Sequence, residues 1–137
     1  MQKEMVIDKP LLHKAKDSGF SQFFTFDLQT LILNMKQTRA WENGELNAMI
    51  LLKSPEKQIV LTAIHRGTEI SSFQSNDSIT FQIIEGKLEF HSKKESVTID
   101  KGQVLTLHEN IKYSLTSNEE TVFLLTTANS NLRNSEY

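Results

Sequence analysis

The chain contains no cysteine, so histidines are the side chains best suited to catalysis or metal binding. They are His13, His65, His91 and His108. None belongs to an H-x-H or HExxH pattern, the close spacings that bring two imidazoles onto one metal ion. The lack of cysteine excludes disulfides, thiolate nucleophiles and cysteine zinc sites. We interpret the histidines as surface or strand-end residues, and we assign no catalytic residue among them.

Other motifs of catalysis and binding are also missing from the sequence. It has neither a G-x-S-x-G nucleophile elbow nor a phosphate-binding loop. The net charge of −2 gives no basic field for holding nucleic acid. No stretch approaches the roughly 20 apolar residues that cross a bilayer, and residues 1–10 lack the apolar core of a secretory signal. We predict a cytoplasmic protein that binds neither nucleic acid nor membranes.

The elements that would position any site begin with one helix. Leu28, Leu31, Ile32 and Met35 are spaced at i, i+3, i+4 and i+7, which predicts an amphipathic helix over about 28–36, with Asp27 as its N-cap. A strand is the alternative, because residues 31–33 are a short apolar run. We divide the chain into a lead-in over 1–25, a single domain over 26–128 and a polar tail over 129–137.

Beyond this helix the pattern is one of short strands separated by turn residues. The segments are rich in Val, Ile, Leu, Phe and Thr, and no helical pattern lies between them, which predicts a mainly all-β sandwich or barrel. The two halves of this region place their turns alike, as in a jelly roll. The predicted strands are 46–53, 58–65, 79–84, 87–91, 96–99, 104–108 and 121–127.

The first set of matched intervals begins at a glycine after the second predicted strand. Gly67, Phe73, Ser75, Ile79 and Gly86 follow the spacing G(X)5HXH(X)3-4E(X)6G, the first motif of the cupin family. Tight turns between twisted strands require positive φ angles, which glycine adopts without steric cost. The matched glycines therefore stand at the positions where a barrel of this type requires positive φ angles.

The second set of intervals matches the other cupin motif, G(X)5PXG(X)2H(X)3N. Gly102, His108, Asn110, Tyr113 and Ser117 stand at its positions, and fifteen residues separate Gly86 from Gly102. The chain therefore resembles the small single-domain cupins of the conserved-barrel type over about residues 58–127. The resemblance implies a double-stranded β-helix, the jelly-roll cupin barrel, to which the predicted short helix adds an N-terminal element.

The same resemblance argues against a metal cofactor. In metal-binding cupins, histidine and glutamate occupy the four positions that here hold Phe73, Ser75, Ile79 and Tyr113. Phenylalanine and isoleucine cannot bind a metal, a neutral serine hydroxyl is a poor ligand, and tyrosine normally needs strong partner ligands. We therefore expect no metal and no other cofactor.

The barrel interior is the predicted binding site. Ile79, Phe81 and Ile83 share one face of a strand, and the family pattern turns that face inward. Such an interior can be a pocket for a small apolar or aromatic ligand, with the tyrosine hydroxyl as its polar group, or it can be filled by its own side chains. The predicted ligand-binding residues are Phe73, Ser75, Ile79, Phe81 and Tyr113.

Three functions remain open at this point. The first, and the one we favour, is a non-catalytic binding or sensing domain for a small molecule. The second is a metal-independent acid–base enzyme resembling the epimerases, with Tyr113 as acid and His65 or His108 as base. The third is a purely structural homodimer, in which the charge-free edge run 46–52 pairs between two copies. We expect a homodimer in any case, and Trp41 would cover one barrel end or join that contact.

Overall fold

The structure, a computed structural model, describes residues 22–73, 77–108 and 110–129. At positions 72 and 73 it describes the backbone alone. The predicted lead-in lies outside these residues up to position 21, as does the tail from position 130. The described helices are α1 (Leu28–Met35) and α2 (Arg39–Glu42). The described strands are β1 (Asn47–Lys53), β2 (Lys57–Ile64), β3 (Glu69–Phe73), β4 (Ser78–Glu85), β5 (Lys87–His91), β6 (Ser96–Asp100), β7 (Val104–Leu107), β8 (Tyr113–Thr116) and β9 (Thr121–Ala128).

Helix α1 forms where the apolar spacing predicts it. The Asp27 carboxylate accepts hydrogen bonds from the backbone N–H and the hydroxyl of Thr30, at 3.4 and 3.0 Å, so the predicted N-cap is confirmed. Leu31, Ile32 and Met35 are buried against the larger sheet. The alternative of a strand is wrong, because the 3.6-residue spacing places these side chains on one face. Neither described helix is long and apolar enough to cross a membrane.

The described strands form two antiparallel sheets. The larger sheet has the order β1-β2-β9-β4-β7, and the smaller sheet has the order β3-β8-β5-β6. Strands that are distant in sequence are neighbours in each sheet, since β9 lies between β2 and β4. This interleaving of the two halves is the jelly-roll arrangement that the turn spacing predicts.

The seven predicted strands lie within one residue of the observed ones at each end. Strands β3 and β8 and helix α2 were not predicted. Glu69–Phe73 and Tyr113–Thr116 carry serine and threonine between few apolar residues, so neither has the apolar density of a predicted strand. With only four residues, α2 is too short to show a helical period. Its signal is the capping threonine Thr38, whose hydroxyl accepts from Trp41 N–H at 3.2 Å.

Two apolar clusters hold the fold together. The first fills the space between the sheets, and Ile79, Phe81 and Ile83 point into it as the alternation predicts. The second lies on the opposite face of the larger sheet, where α1 and Trp41 cover β1, β2 and β9. The middle of these strands is therefore buried on both faces. The described helices pack on the larger sheet and do not cover the outer face of the smaller sheet.

The turn after β4 depends on its glycine. Gly86 has a φ of 83°, and a Cβ placed there would lie 2.6 Å from the Thr121 hydroxyl oxygen and 2.8 Å from the Thr121 Cα. The Thr121 hydroxyl stands close because it accepts from the N–H of Lys87 and donates to its carbonyl. Gly102 has a φ of 85°, but its surroundings are open. The positive φ angles at Gly67, Gly86 and Gly102 agree with the motif interpretation.

Candidate functional site

Tyr113 is the predicted site residue whose position is clearest. It begins β8, its ring is buried between the sheets, and its backbone pairs with that of Phe73 in β3. Ile79 lies in β4 and is buried as well. The side chain of Phe73 and the whole of Ser75 lie outside the described residues. The backbone thus brings positions 73 and 113 together at the start of β8.

Aromatic rings occupy the interior behind Tyr113. The Phe81 ring centroid lies 4.7 Å from that of Phe90, 5.4 Å from that of Phe123 and 6.1 Å from that of Tyr113. Edge-to-face and tilted arrangements at these distances are favourable aromatic contacts. Phe81 is 1% exposed, so side chains fill the barrel at this depth.

Burial also sets the chemistry of the Tyr113 hydroxyl. Removal from water disfavours the phenolate and raises the pKa of Tyr113 to about 12. At neutral pH the side chain is therefore a neutral phenol that can donate or accept a hydrogen bond. It is a poor metal ligand and a weak general acid in this state.

A cavity of about 310 Å³ opens between the two sheets in front of Tyr113, and we call it the mouth cavity. Its inward-facing walls come from β5, β6 and β7, because β7 pairs with β4 so that Leu105 and Leu107 face the same way as Phe81 and Ile79. Its apolar lining residues are Phe90, Val97, Leu105, Leu107, Ile111 and Tyr113, and its polar ones are His91, Ser92, Lys94, Glu95, Thr106 and His108.

A second, larger cavity adjoins the mouth cavity and extends over the outward face of the smaller sheet, and we call it the outer groove. Ile70, Phe90 and Leu115 point into the core, so their strand neighbours Ser71, His91 and Ser114 face outward. The cavity measures about 650 Å³. Its lining residues are Ser71, His91, Ser92, Lys93, Lys94, Asn110, Ile111, Lys112, Tyr113 and Ser114.

Comparisons with known proteins identify the fold. No family model and no curated protein matches the sequence, but solved structures match the architecture. The chain has a cupin fold. A cupin superfamily protein from Desulfitobacterium hafniense is 16% identical, with a TM-score of 0.60 over 62% of this chain and 78% of that one. A cupin-2 domain containing protein from Shewanella frigidimarina is 12% identical, with a TM-score of 0.61 over 75% of this chain and 93% of that one.

A third match has no assigned role. It is a conserved protein of unknown function from Streptococcus pyogenes, 20% identical, with a TM-score of 0.59 over 63% of this chain and 75% of that one. The TM-scores near 0.6 establish the cupin fold, as the glycine spacing predicts. The sequence identities of 12–20% carry no function across.

The positions that the resemblance matches to the cupin metal ligands are only partly described. Of the four positions, the structure describes the side chains of Ile79 and Tyr113: one is a buried hydrocarbon and the other a neutral phenol. Among the described residues, no three histidine, aspartate or glutamate side chains form a group that could hold a metal. We derive no step through a metal.

The structure separates the predicted ligand-binding residues. Tyr113 borders the mouth cavity, whereas Ile79 and Phe81 lie in the core and border neither the mouth cavity nor the outer groove. Leu105 and Leu107 line the mouth cavity but were not predicted as site residues. Their alternation in β7 was visible in the sequence, but its inward face depends on the register with β4, which only the fold supplies.

The three described histidines divide between two regions of the fold. His91 and His108 border the mouth cavity. His91 faces the outside of its strand, as predicted, and its Nδ1 lies 2.9 Å from the Ser96 hydroxyl. His65 follows β2, as predicted, but it is half-buried with its ring stacked on Trp41. Trp41 belongs to the cluster beneath the helices.

Proposed function

We propose that this chain is a metal-free, non-catalytic cytoplasmic cupin that binds a small apolar or aromatic molecule in its mouth cavity. The observation that carries the proposal is the combination of apolar walls with one buried phenol. Phe90, Val97, Leu105 and Leu107 supply the walls, and Tyr113 stands at the boundary with the filled core. A pocket lined mainly by apolar groups with few polar ones is typical of small-molecule sites.

The size and chemistry of the cavity limit the ligand. A volume of about 310 Å³ is at the lower end of ligand pockets, which span about 300–1,000 Å³. A ligand of one or two rings is therefore the best match. Because the Tyr113 phenol stays neutral, it would bind a ligand carbonyl or hydroxyl by hydrogen bonding and would not attract a cation. Val97, which is 44% exposed, would lose contact with water when the ligand enters.

Neutral aromatic probes test this proposal without interference from charge. Indole and toluene, titrated into the full chain and followed by amide chemical shifts, should perturb β5, β6, β7 and the start of β8. Leu107→Trp should fill the cavity and abolish the shifts. The matched control is Val104→Trp, on the same strand but facing outward and outside the mouth cavity. Unchanged probe shifts in Leu107→Trp, or no shifts in the unmodified protein at millimolar indole, would contradict the proposal.

An acid–base enzyme is the second candidate, because Tyr113 and His108 border one cavity. His65, the other candidate base, is instead stacked on Trp41. The Tyr113 pKa of about 12 makes this phenol a weak acid at neutral pH, which favours the binding function. An isomerase would incorporate solvent deuterium into carbonyl compounds, and both Tyr113→Phe and His108→Gln would abolish the exchange. Lack of exchange across a panel of sugars and keto acids would remove this candidate.

A homodimer through β1 is a separate part of the proposal. Strand β1 lies at one end of the strand order of the larger sheet, and residues 46–52 carry no charge. Unprotected edge strands readily pair with a second chain. Light scattering coupled to size exclusion should give twice the chain mass, and Leu52→Lys should reduce it. A monomer at tens of micromolar would rule the dimer out and leave ligand binding untouched.

A further inference from the structure

The outer groove is rich in positive charge although the chain as a whole carries a net charge of −2. Its lining includes Lys93, Lys94 and Lys112, and no carboxylate is among the described residues that border it. The Glu89 carboxylate lies 3.6 Å from the ring of His91, and Glu95 belongs to the turn that carries Lys93 and Lys94. Neither lines the groove, so its lining, as far as the described residues form it, carries cations and no carboxylate.

The turn after β5 fixes one wall of the groove. The Ser92 hydroxyl accepts hydrogen bonds from the backbone N–H groups of Lys94 and Glu95, each at 3.3 Å. The N–H of Ser92 donates to the Glu95 carbonyl at 2.8 Å. These bonds hold the backbone from which Lys93 and Lys94 extend. The cationic wall is therefore built on an ordered turn, and only the lysine stems have to be immobilised when a ligand binds.

The floor of the groove consists of polar groups across three strands of the smaller sheet. Ser114 pairs with His91, and the outward face also carries Ser71. The His91 ring is oriented by the Ser96 hydroxyl at Nδ1 and by Glu89 near Nε2. Hydroxyl groups can donate to oxyanions, and lysines act as point charges beside phosphate or carboxylate.

We propose that the outer groove is a binding site for a small anion that carries an apolar ring, either an aryl phosphate or an aryl carboxylate. Lys93, Lys94 and Lys112 hold the anionic group, and the serine hydroxyls donate to its oxygens. Ile111, which is 39% exposed, contacts the ring. The volume of about 650 Å³ accommodates such a molecule. His91, Ser92, Lys94, Ile111 and Tyr113 border both cavities, whereas Ser71, Lys93, Asn110, Lys112 and Ser114 border the groove alone. Binding at this second set of residues therefore distinguishes this site from the mouth cavity.

The probes for this site are phenyl phosphate, benzoate, inorganic phosphate and the neutral benzyl alcohol. Phenyl phosphate or benzoate should bind with amide shifts at 91–94 and 110–114, and the tighter of the two identifies the class of anion. Inorganic phosphate should bind more weakly because it lacks the ring. Benzyl alcohol should leave unperturbed the amides of residues that line the groove alone, which are Ser71, Lys93, Lys112 and Ser114. Raising the salt concentration should weaken binding, since these charges are exposed to solvent.

Charge-matched variants separate the groove from nonspecific attraction. An exposed charge contact is worth up to about 1 kcal/mol, or about fivefold in Kd, so Lys93→Gln/Lys94→Gln/Lys112→Gln should weaken binding by up to about 100-fold. The control Lys53→Gln/Lys57→Gln/Lys101→Gln removes the same charge from lysines that do not line the groove and should bind as the unmodified chain does. Equal losses in the two variants, or no anion binding at millimolar concentration, would overturn the site. Binding to anionic vesicles without any binding of phenyl phosphate or benzoate would also overturn the site.

Discussion

The indole ring of Trp41 stacks on the imidazole ring of His65, with centroids 3.5 Å apart and planes inclined by 21°. This contact joins α2 to the residue that follows β2, and it lies beside the cluster that the helices form on the larger sheet. The Nε2 atom of His65 is buried and has no hydrogen-bond partner among the described residues. His65 thus contributes to stability through the stacking of its ring, although its buried Nε2 atom lacks a hydrogen bond among the described residues.

Removing the indole should destabilise the attachment of the helices. Truncating a buried tryptophan typically costs about 3–5 kcal/mol, so Trp41→Ala should lower the free energy of unfolding by roughly that amount in urea denaturation. His65→Phe is the matched variant, because it keeps a stacking ring and removes the buried nitrogen. It should be neutral or slightly stabilising. A loss of more than about 2 kcal/mol in His65→Phe would show that the imidazole makes an essential polar contact.

The two glycines after β4 and β6 should respond differently to the same substitution. Gly86→Ala combines a strained positive φ with the contacts of its Cβ against Thr121, and should cost about 2–5 kcal/mol. Gly102→Ala has the same strain in open surroundings and should cost about 1–2 kcal/mol. Chemical denaturation of both variants measures the difference. Equal losses would mean that the Glu120 carbonyl and Thr121 move away from the new Cβ without cost.

These glycines also show how far the sequence could predict the fold. Their spacing predicted both the cupin barrel and the turns, because positive φ restricts a position to few residue types. The inward face of β4 followed from its alternation and the family pattern. The mouth cavity could not be predicted from the sequence. Leu105 and Phe90 are distant in sequence, and they line one cavity because β7 pairs with β4 and β5 pairs with β8. The outer groove depends on lysines from separate turns, for which a single sequence gives no spacing signal.

Lys36 should stabilise the junction between α1 and the barrel up to high pH. Its amine contacts Glu85 at 2.9 Å and Glu120 at 2.7 Å. Partial burial lowers the pKa of Lys36, but the hydrogen bonds to Glu120 and Glu85 outweigh it and raise this pKa above 10.5. Lys36→Met should cost about 1 kcal/mol, because all three groups are partly exposed to solvent. Lys53→Met is the exposed control.

The pH dependence of that loss has a defined sign. A pKa raised by folding contributes stability that is fully present below the unfolded value, 10.5, and that disappears as the pH rises through the folded pKa. The difference between the unmodified chain and Lys36→Met, measured by urea denaturation, should therefore be constant from pH 7 to 9 and shrink above pH 10.5. A difference that shrinks between pH 7 and 9 would contradict the assignment to the lysine.

Tyr113 should make the barrel sensitive to alkali. Burial raises its pKa to about 12 from 10.0, so the unfolded chain ionises this phenol first. Stability is fully present below pH 10 and is lost as the pH rises to 12, in total about 2–3 kcal/mol. Tyr113→Phe cannot ionise at this position and should lack that part of the loss. The difference in absorbance at the phenolate band between the two proteins should titrate near pH 12. A titration midpoint near pH 10 would mean that the phenol of Tyr113 is in contact with water. The inner end of the mouth cavity would then be hydrated, and an apolar ligand could not bind there.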